Sequence, residues 1–284
     1  MISSKKLLTT IFLALQSVSA QTDAEKAAYP FMAAGMEEFG YVWESHKVTT
    51  DDNWVLTLYR IYGYLEEDGV TVTIPSELPE NADKDPILAQ HGAGGNGHGF
   101  AAATYNGEKN LFMRLVDRGY DVWVGNSRGS EYSNENTQDD TWSLEERWNY
   151  TWADMGINDI PANIEKILTV TGKQKVTLVG HSQGTSQSYY GLAKQQDYFA
   201  ERVSRFIAFA SCIQRSYYGD SDQVLTDFTR MFDVYNYYNF NYYDQDAVTA
   251  IPSVLCDDDE VSEVWCGFAY GALGQSIMSE FYTA

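Results

Sequence analysis

Five consecutive residues, Gly180-His181-Ser182-Gln183-Gly184, have the types and spacing of an acyl-transfer nucleophile, G-x-S-x-G. Residues 175–179 (KVTLV) before them read as a buried strand, and 185–195 after them as a helix. A serine on so tight a strand-to-helix turn exposes its hydroxyl beside the positive end of the helix. Gly180 and Gly184 suit the turn because side chains there would collide with neighbouring backbone. Such a serine also needs donors for a tetrahedral oxyanion, each contributing about 10²–10³ in rate. The backbone N–H of Gln183 is one candidate. The loop His91-Gly92-Ala93-Gly94-Gly95, after the apolar strand 86–90, offers the other, with the amide of Ala93 as donor. His91 has two readings, a base or a residue that fixes this loop by hydrogen bonding, and the second is the commoner in an HG loop.

The same loop also spells a G-x-G-x-x-G from Gly92 to Gly97, which in a dinucleotide-binding protein would cradle a pyrophosphate. That reading requires the motif to open directly into a helix, yet Gly99 and Asn106-Gly107 follow before any helical spacing. It also leaves the serine turn unexplained.

The elements that must position these groups are legible in outline. Residues 54–64 (WVLTLYRIYGY) and 70–74 read as a strand pair, expected as an antiparallel edge. Strand 86–90, helix 111–118 stopped by Gly119, and strand 120–124 follow. A helix opens at Asp159-Ile160-Pro161, with Asp159 as its N-cap, and ends at Gly172. Strand 205–210 closes the series. Alternating strands and helices predict a mostly parallel sheet with helices on both faces. After Ser211 the rhythm stops, and aromatic-rich residues 212–284 suggest amphipathic helices.

Composition narrows the function classes. The 284 residues carry 40 Asp+Glu against 19 Lys+Arg, a formal charge of −21, which repels a polyanion and argues against nucleic-acid binding. Lys5 and Lys6, a short apolar run and Val18-Ser19-Ala20 form the pattern of a signal peptide over residues 1–20, cleaved after Ala20. The run is too short for a membrane span, which needs about 20 residues. No other stretch is transmembrane in character, so a secreted or lumenal protein is expected. No His/Cys cluster has metal-ligand spacing, and no cofactor is implied.

At these residues the chain resembles the acid lipase family of gastric and lysosomal ester hydrolases. Residues 41–52 (YVWESHKVTTDD) resemble its N-terminal segment and Gln90-His91-Gly92 its oxyanion loop, with Ala93 where the family usually has leucine. The run 119–129 (GYDVWVGNSRG) is nearly the family's G-Y-D-V-W-L-G-N-S-R-G and is the most specific motif present. Trp152-Ala153-Asp154-Met155-Gly156, Asp159-Ile160-Pro161-Ala162 and the G-H-S-Q-G-T at 180–185 complete the match. The resemblance implies an α/β-hydrolase core over 21–211 and part of a helical cap over 212–284. It implies hydrolysis of neutral lipid esters, triacylglycerol or steryl ester, at a lipid–water interface. It leaves Trp123, Asn126 and Arg128 as braces beneath the strand end rather than reacting groups.

The family orders its triad serine, acid, histidine. No histidine follows Ser182: the four are His46, His91, His98 and His181. The sequence is therefore expected to stop inside the cap, without the last core strands and without the triad acid and histidine, and to be inactive alone. A misplaced coding end and a natural, non-catalytic lipid-binding or decoy product are the two explanations. Cys256 and Cys266 fall where the family's cap has a short-range disulfide; two free buried thiols are the alternative. Cys212 is expected to be buried and unpaired. Asn149-Tyr150-Thr151 is an N-glycosylation sequon, with Trp148, Tyr150 and Trp152 around it as a reason for burial.

Overall fold

The computed structural model describes residues 22–66, 71–73, 85–93, 95–102, 107–138 and 149–212. The leader, the cap region from residue 213 onward, Cys256 and Cys266 lie outside the described residues. Two short helices, α1 (Asp23–Ala28) and α2 (Pro30–Glu38), lead into β1 (Tyr41–Thr49) and β2 (Trp54–Leu65). Then come β3 (Val72–Thr73), β4 (Ile87–Gln90), α3 (Gly97–Ala101), α4 (Leu111–Asp117), β5 (Val122–Gly125) and β6 (Glu135–Asn136). A helical turn, α5 (Trp152–Asp154), runs through a π-helical segment (Met155–Asp159) into α6 (Ile160–Thr171). The described chain closes with β7 (Val176–His181), α7 (Gln183–Lys194), α8 (Gln196–Arg202) and β8 (Val203–Phe209).

The main sheet runs β1-β2-β5-β4-β7-β8. Pairs β4–β5, β4–β7 and β7–β8 are parallel, while β1–β2 and β2–β5 are antiparallel. The expected antiparallel edge is therefore present, but with a different partner. Residues 72–73 pair with β2 only at Tyr64↔Thr73 and Leu65↔Val72, whereas Tyr41–Thr49 pairs along most of β2.

Alternation along the central strands explains why both faces need helices. Ala89, Val122, Val124 and Val179 turn to one face, against Met32 and Met36 of α2 and Phe112, Met113 and Val116 of α4. Leu88, Trp123 and Leu178 turn to the other, against Ile160, Ile164 and Ile167 of α6 and Phe199 of α8. Gly172 ends α6 in the left-handed conformation, φ 68°, as its position predicts. Among the described residues β8 has no outer neighbour, and its Ile207 and Phe209 are exposed.

Asp159 corrects one expectation. It makes no cap: its backbone is already helical and its carboxylate turns into the protein toward Arg128. Arg128 outcompetes the helix end because a fully buried carboxylate needs a charged partner more than an N-terminus needs one cap.

Candidate active site

Ser182 sits between the last residue of β7 and the first of α7, at φ 50° and ψ −119°. A non-glycine residue is held there only when its surroundings over-determine it. Its N–H donates to Phe209 O on β8 (3.0 Å), and its carbonyl accepts from Thr185 N (2.9 Å) and Thr185 Oγ1 (2.6 Å). The two glycines are required by close approach, as the motif predicts. A Cβ at Gly180 would lie 2.8 Å from Gly184 O, and one at Gly184 would lie 2.5 Å from Gln90 O and 2.6 Å from His91 O. The second clash is the informative one. The helix that follows Ser182 is pressed directly onto the strand end that leads into the glycine loop.

That loop reaches the serine from β4. A Cβ at Gly92 would lie 2.9 Å from Ser182 Cβ, so the backbone here approaches Ser182 as closely as a missing side chain allows. Ala93 follows on an exposed turn. Gln183 is the first residue of α7, where a backbone N–H has no acceptor within the helix.

His91 takes the loop-fixing role. It is buried; Ser127 N donates to its Nε2 (3.0 Å), so its Nδ1 carries the proton and donates to Gly92 O (2.8 Å). Burial, with His181 nearby, pushes it down to about 4. Both ring nitrogens are committed, which removes it as a base. His181 is exposed and lies against Phe100 (5.8 Å between rings). His98 is buried between Phe31 (5.2 Å, stacked) and Tyr132 (5.6 Å, edge-on). Among the described residues, Ser182 Oγ has the thiol of Cys212 as its hydrogen-bond partner, at 3.9 Å. Cys212 is unpaired as expected but exposed rather than buried.

The expected braces are found beneath the site. Trp123 is fully buried, with Arg60 (5.0 Å) and His46 (5.1 Å) over its ring. Arg128 is 1% exposed and joins Asp159 (Nε–Oδ1 2.8 Å) to Asp52 (Nη2–Oδ1 2.8 Å). Burial pushes Asp159 up to about 6 against the pull of Arg128, while the Arg128 and Thr50 hydrogen bonds hold Asp52 below the usual carboxylate range. Sequence reasoning missed Ser127 and Gln187. The Ser127 hydroxyl accepts from Gln90 Nε2 (2.7 Å) and Gln187 Nε2 (3.3 Å), tying β4, β5 and α7 together. Nothing in their residue types marks them, since the meeting is made by the sheet.

Two further expectations change. A short helix does open at Gly97, directly after the glycine loop. Its first donors are taken, however: Gly97 N by Asn126 Oδ1 (2.7 Å) and Gly99 N by Asn96 Oδ1 (2.8 Å), which leaves a pyrophosphate no cradle there. Asn149 is exposed, contrary to the burial expected from its aromatic neighbours: Tyr150 turns inward toward Trp54, while Trp152 is exposed. Among the described residues no cluster of His, Cys, Asp or Glu could hold a metal ion, and no helix is long and apolar enough to cross a membrane.

Comparison with known families agrees with this geometry. The family model of the alpha/beta hydrolase fold matches residues 85–250, and that of the partial alpha/beta-hydrolase lipase region matches 33–103. The chain belongs to the alpha/beta-hydrolase family. Its curated relatives bear out the resemblance to gastric and acid lipases. Lipase lipl-3 of Caenorhabditis elegans is 32% identical over 215 residues, covering 74% of this chain and 48% of that protein. Gastric triacylglycerol lipase of Mus musculus is 34% identical over 178 residues, covering 61% and 40%. Lipase 1 of Drosophila melanogaster is 32% identical over 176 residues, covering 62% and 35%. The chain thus spans about half the length, or less, of these relatives.

Proposed function

We propose that the chain carries the nucleophile half of a lipase that cleaves neutral lipid esters through an acyl-serine. The observation carrying this reading is the Ser182 turn, a strained serine at a helix N-terminus with the Gly92 backbone against it. In this reading Ser182 Oγ attacks the ester carbonyl, and the amides of Ala93 and Gln183 hold the oxyanion. The C–O bond then breaks, the alcohol leaves with the serine proton, and water releases the fatty acid. Triacylglycerol and steryl esters are the proposed substrates, with export through the 1–20 leader to an extracellular or lysosomal lumen. A hydrolase core over 21–211 and the start of a cap over 212–284 are the proposed domains. Exposure of Asn149 supports its use as a glycan acceptor along that route.

A base must take the serine proton. No histidine follows Ser182, and His91 is engaged at both nitrogens. This reading therefore assigns the base and its orienting acid to the part of the relatives that the 284 residues do not span, and the chain alone to an inactive state. The same observation favours a second reading, a lipid-binding protein without turnover.

The test measures hydrolysis of emulsified triacylglycerol and cholesteryl ester by the product of the native gene, against its Ser182→Ala form. A loss of about 10⁴-fold or more is expected, while the 284 residues expressed alone hydrolyse p-nitrophenyl esters no faster than their own Ser182→Ala control. Lipid binding with no Ser182-dependent turnover by the native product would establish the second reading instead.

A further inference from the structure

The most specific motif in the sequence, Gly125-Asn126-Ser127-Arg128-Gly129, does no chemistry in the reading above, yet two of its consecutive residues grip opposite ends of the glycine loop. At the near end, Ser127 N donates to His91 Nε2 (3.0 Å), and His91 Nδ1 in turn donates to Gly92 O (2.8 Å). At the far end, the Asn126 side chain accepts from Gly97 N (2.7 Å) and donates through Nδ2 to Thr57 O on β2 (2.8 Å). A Cβ at Gly97 would lie 2.8 Å from Asn126 Nδ2, so the glycine is what lets the amide reach the backbone.

The gripping turn is itself fixed. Asp159 accepts from both the backbone N (2.9 Å) and Nε (2.8 Å) of Arg128. Ser130 N donates to Ser127 O (3.1 Å), and Gly129 N donates to Ser133 O (2.9 Å). Asn126, Ser127, Arg128 and Asp159 are all buried, where each hydrogen bond is strong and each orphaned partner costly.

We propose that Asn126 and Ser127 are positioning residues, a two-point staple that fixes the backbone of the oxyanion loop, with Arg128 and Asp159 holding the staple itself. Ser127 acts through His91 on Gly92, and Asn126 acts through Gly97 on the start of α3. The proposal rests on the assignment of Ala93 to the oxyanion only for its catalytic meaning; the staple is tested without turnover.

The two ends have separate reporters among only four histidines. His91 reports the near end through its tautomer, and His98, stacked on Phe31, reports the far end through the ring current it feels. In ¹⁵N-histidine spectra of the full chain at neutral pH, His91 is expected as a single tautomer with its proton on Nδ1. Arg128→Lys keeps the charge but loses the fork between Asp159 and Asp52. It is expected to move the two His91 nitrogens toward averaged shifts while leaving His98 in place. Asn126→Ala is expected to do the reverse, shrinking the ring-current shift of His98 and sparing His91.

A brace of merely general importance would move both reporters together, and that result overturns the proposal. So does a His91 proton on Nε2 in the unmodified protein, or a folded Arg128→Lys form with His91 unchanged. Where either variant fails to fold, Asp52→Asn and Asn126→Ser read the same two ends, with smaller shifts in the same pattern expected and none overturning the staple.

Discussion

The serine turn and the glycine loop face each other across a few ångströms, yet different physics holds them in place. The turn is held locally. Ser182 is forced to φ 50° by bonds to Thr185 and Phe209 and by two glycines whose missing side chains let α7 press on β4. The loop is held from a distance, by the Ser127 N–H and the Asn126 side chain after another strand and by an ion pair whose two partners lie 31 residues apart in the chain. A locally held element announces itself in a short string of residues. A remotely held one depends on buried polar groups that acquire meaning only once the sheet is assembled.

The largest effect is expected from attacking the remote support at its charge. Arg128→Met leaves Asp159, which is 0% exposed, without its cation. Breaking a buried pair from one side costs about 3–5 kcal/mol, and urea unfolding should show a loss of that size. A loss under about 1 kcal/mol would mean that Asp159 stays protonated in the fold and the loop's support is not ionic.

Gly184→Ala attacks the local support. Its Cβ meets two backbone carbonyls, of Gln90 and His91, and backbone does not move aside as a flexible side chain would. A loss of about 1–3 kcal/mol is expected from such overpacking, read by the same unfolding experiment. Gly172→Ala calibrates both variants: its φ is 68° but nothing lies within 4 Å, so only the left-handed conformation is penalised, by about 1 kcal/mol.

Acid sharpens the comparison further. His91 and His98, both lowered to about 4 mainly by burial, are neutral in the fold but protonated in the unfolded chain between about pH 6 and 4.5. Each removes stability as pH falls through that window. Asp159, raised to about 6 by burial, is protonated in the fold but ionised in the unfolded chain, and adds stability over the same window. Of these three groups the two histidines outweigh the carboxyl, so stability should fall toward acid, by about 1 kcal/mol per pH unit. His98→Phe keeps the stack on Phe31 and removes one of the two, so its stability should be nearly flat over the window. An equally steep slope in that variant would show that His98 is not the group titrating.

Much of the framework was legible in the sequence because local patterns carry it. The strands at β4, β5, β7 and β8, the glycine stop of α6 and the glycines of the serine turn follow from apolar runs and turn chemistry. β1 was not legible as a strand: residues 41–52 stood out only as a family-like segment. Its middle, Glu44-Ser45-His46-Lys47, is a polar run that looks like a loop and forms a strand because Arg60 on β2 pairs with Glu44 across the ladder (3.0 Å). Asp159 looked like a helix cap because Asp before Ile-Pro is a common start, but its partner lies on a different element. His91 could be sorted from the reactive histidines only once Ser127 was seen to occupy its Nε2.

The central claim, that Ser182 is an acyl-transfer nucleophile, is tested most directly by a fluorophosphonate probe applied to the native gene product, followed by mass spectrometry of its peptides. The probe phosphonylates only a serine whose proton is being taken and whose oxyanion is being held. The account predicts a single adduct, on the peptide containing Gly180-His181-Ser182-Gln183-Gly184, and none in Ser182→Ala. A lipid-hydrolysing product that carries the adduct on another residue, or keeps it after Ser182→Ala, would contradict the account.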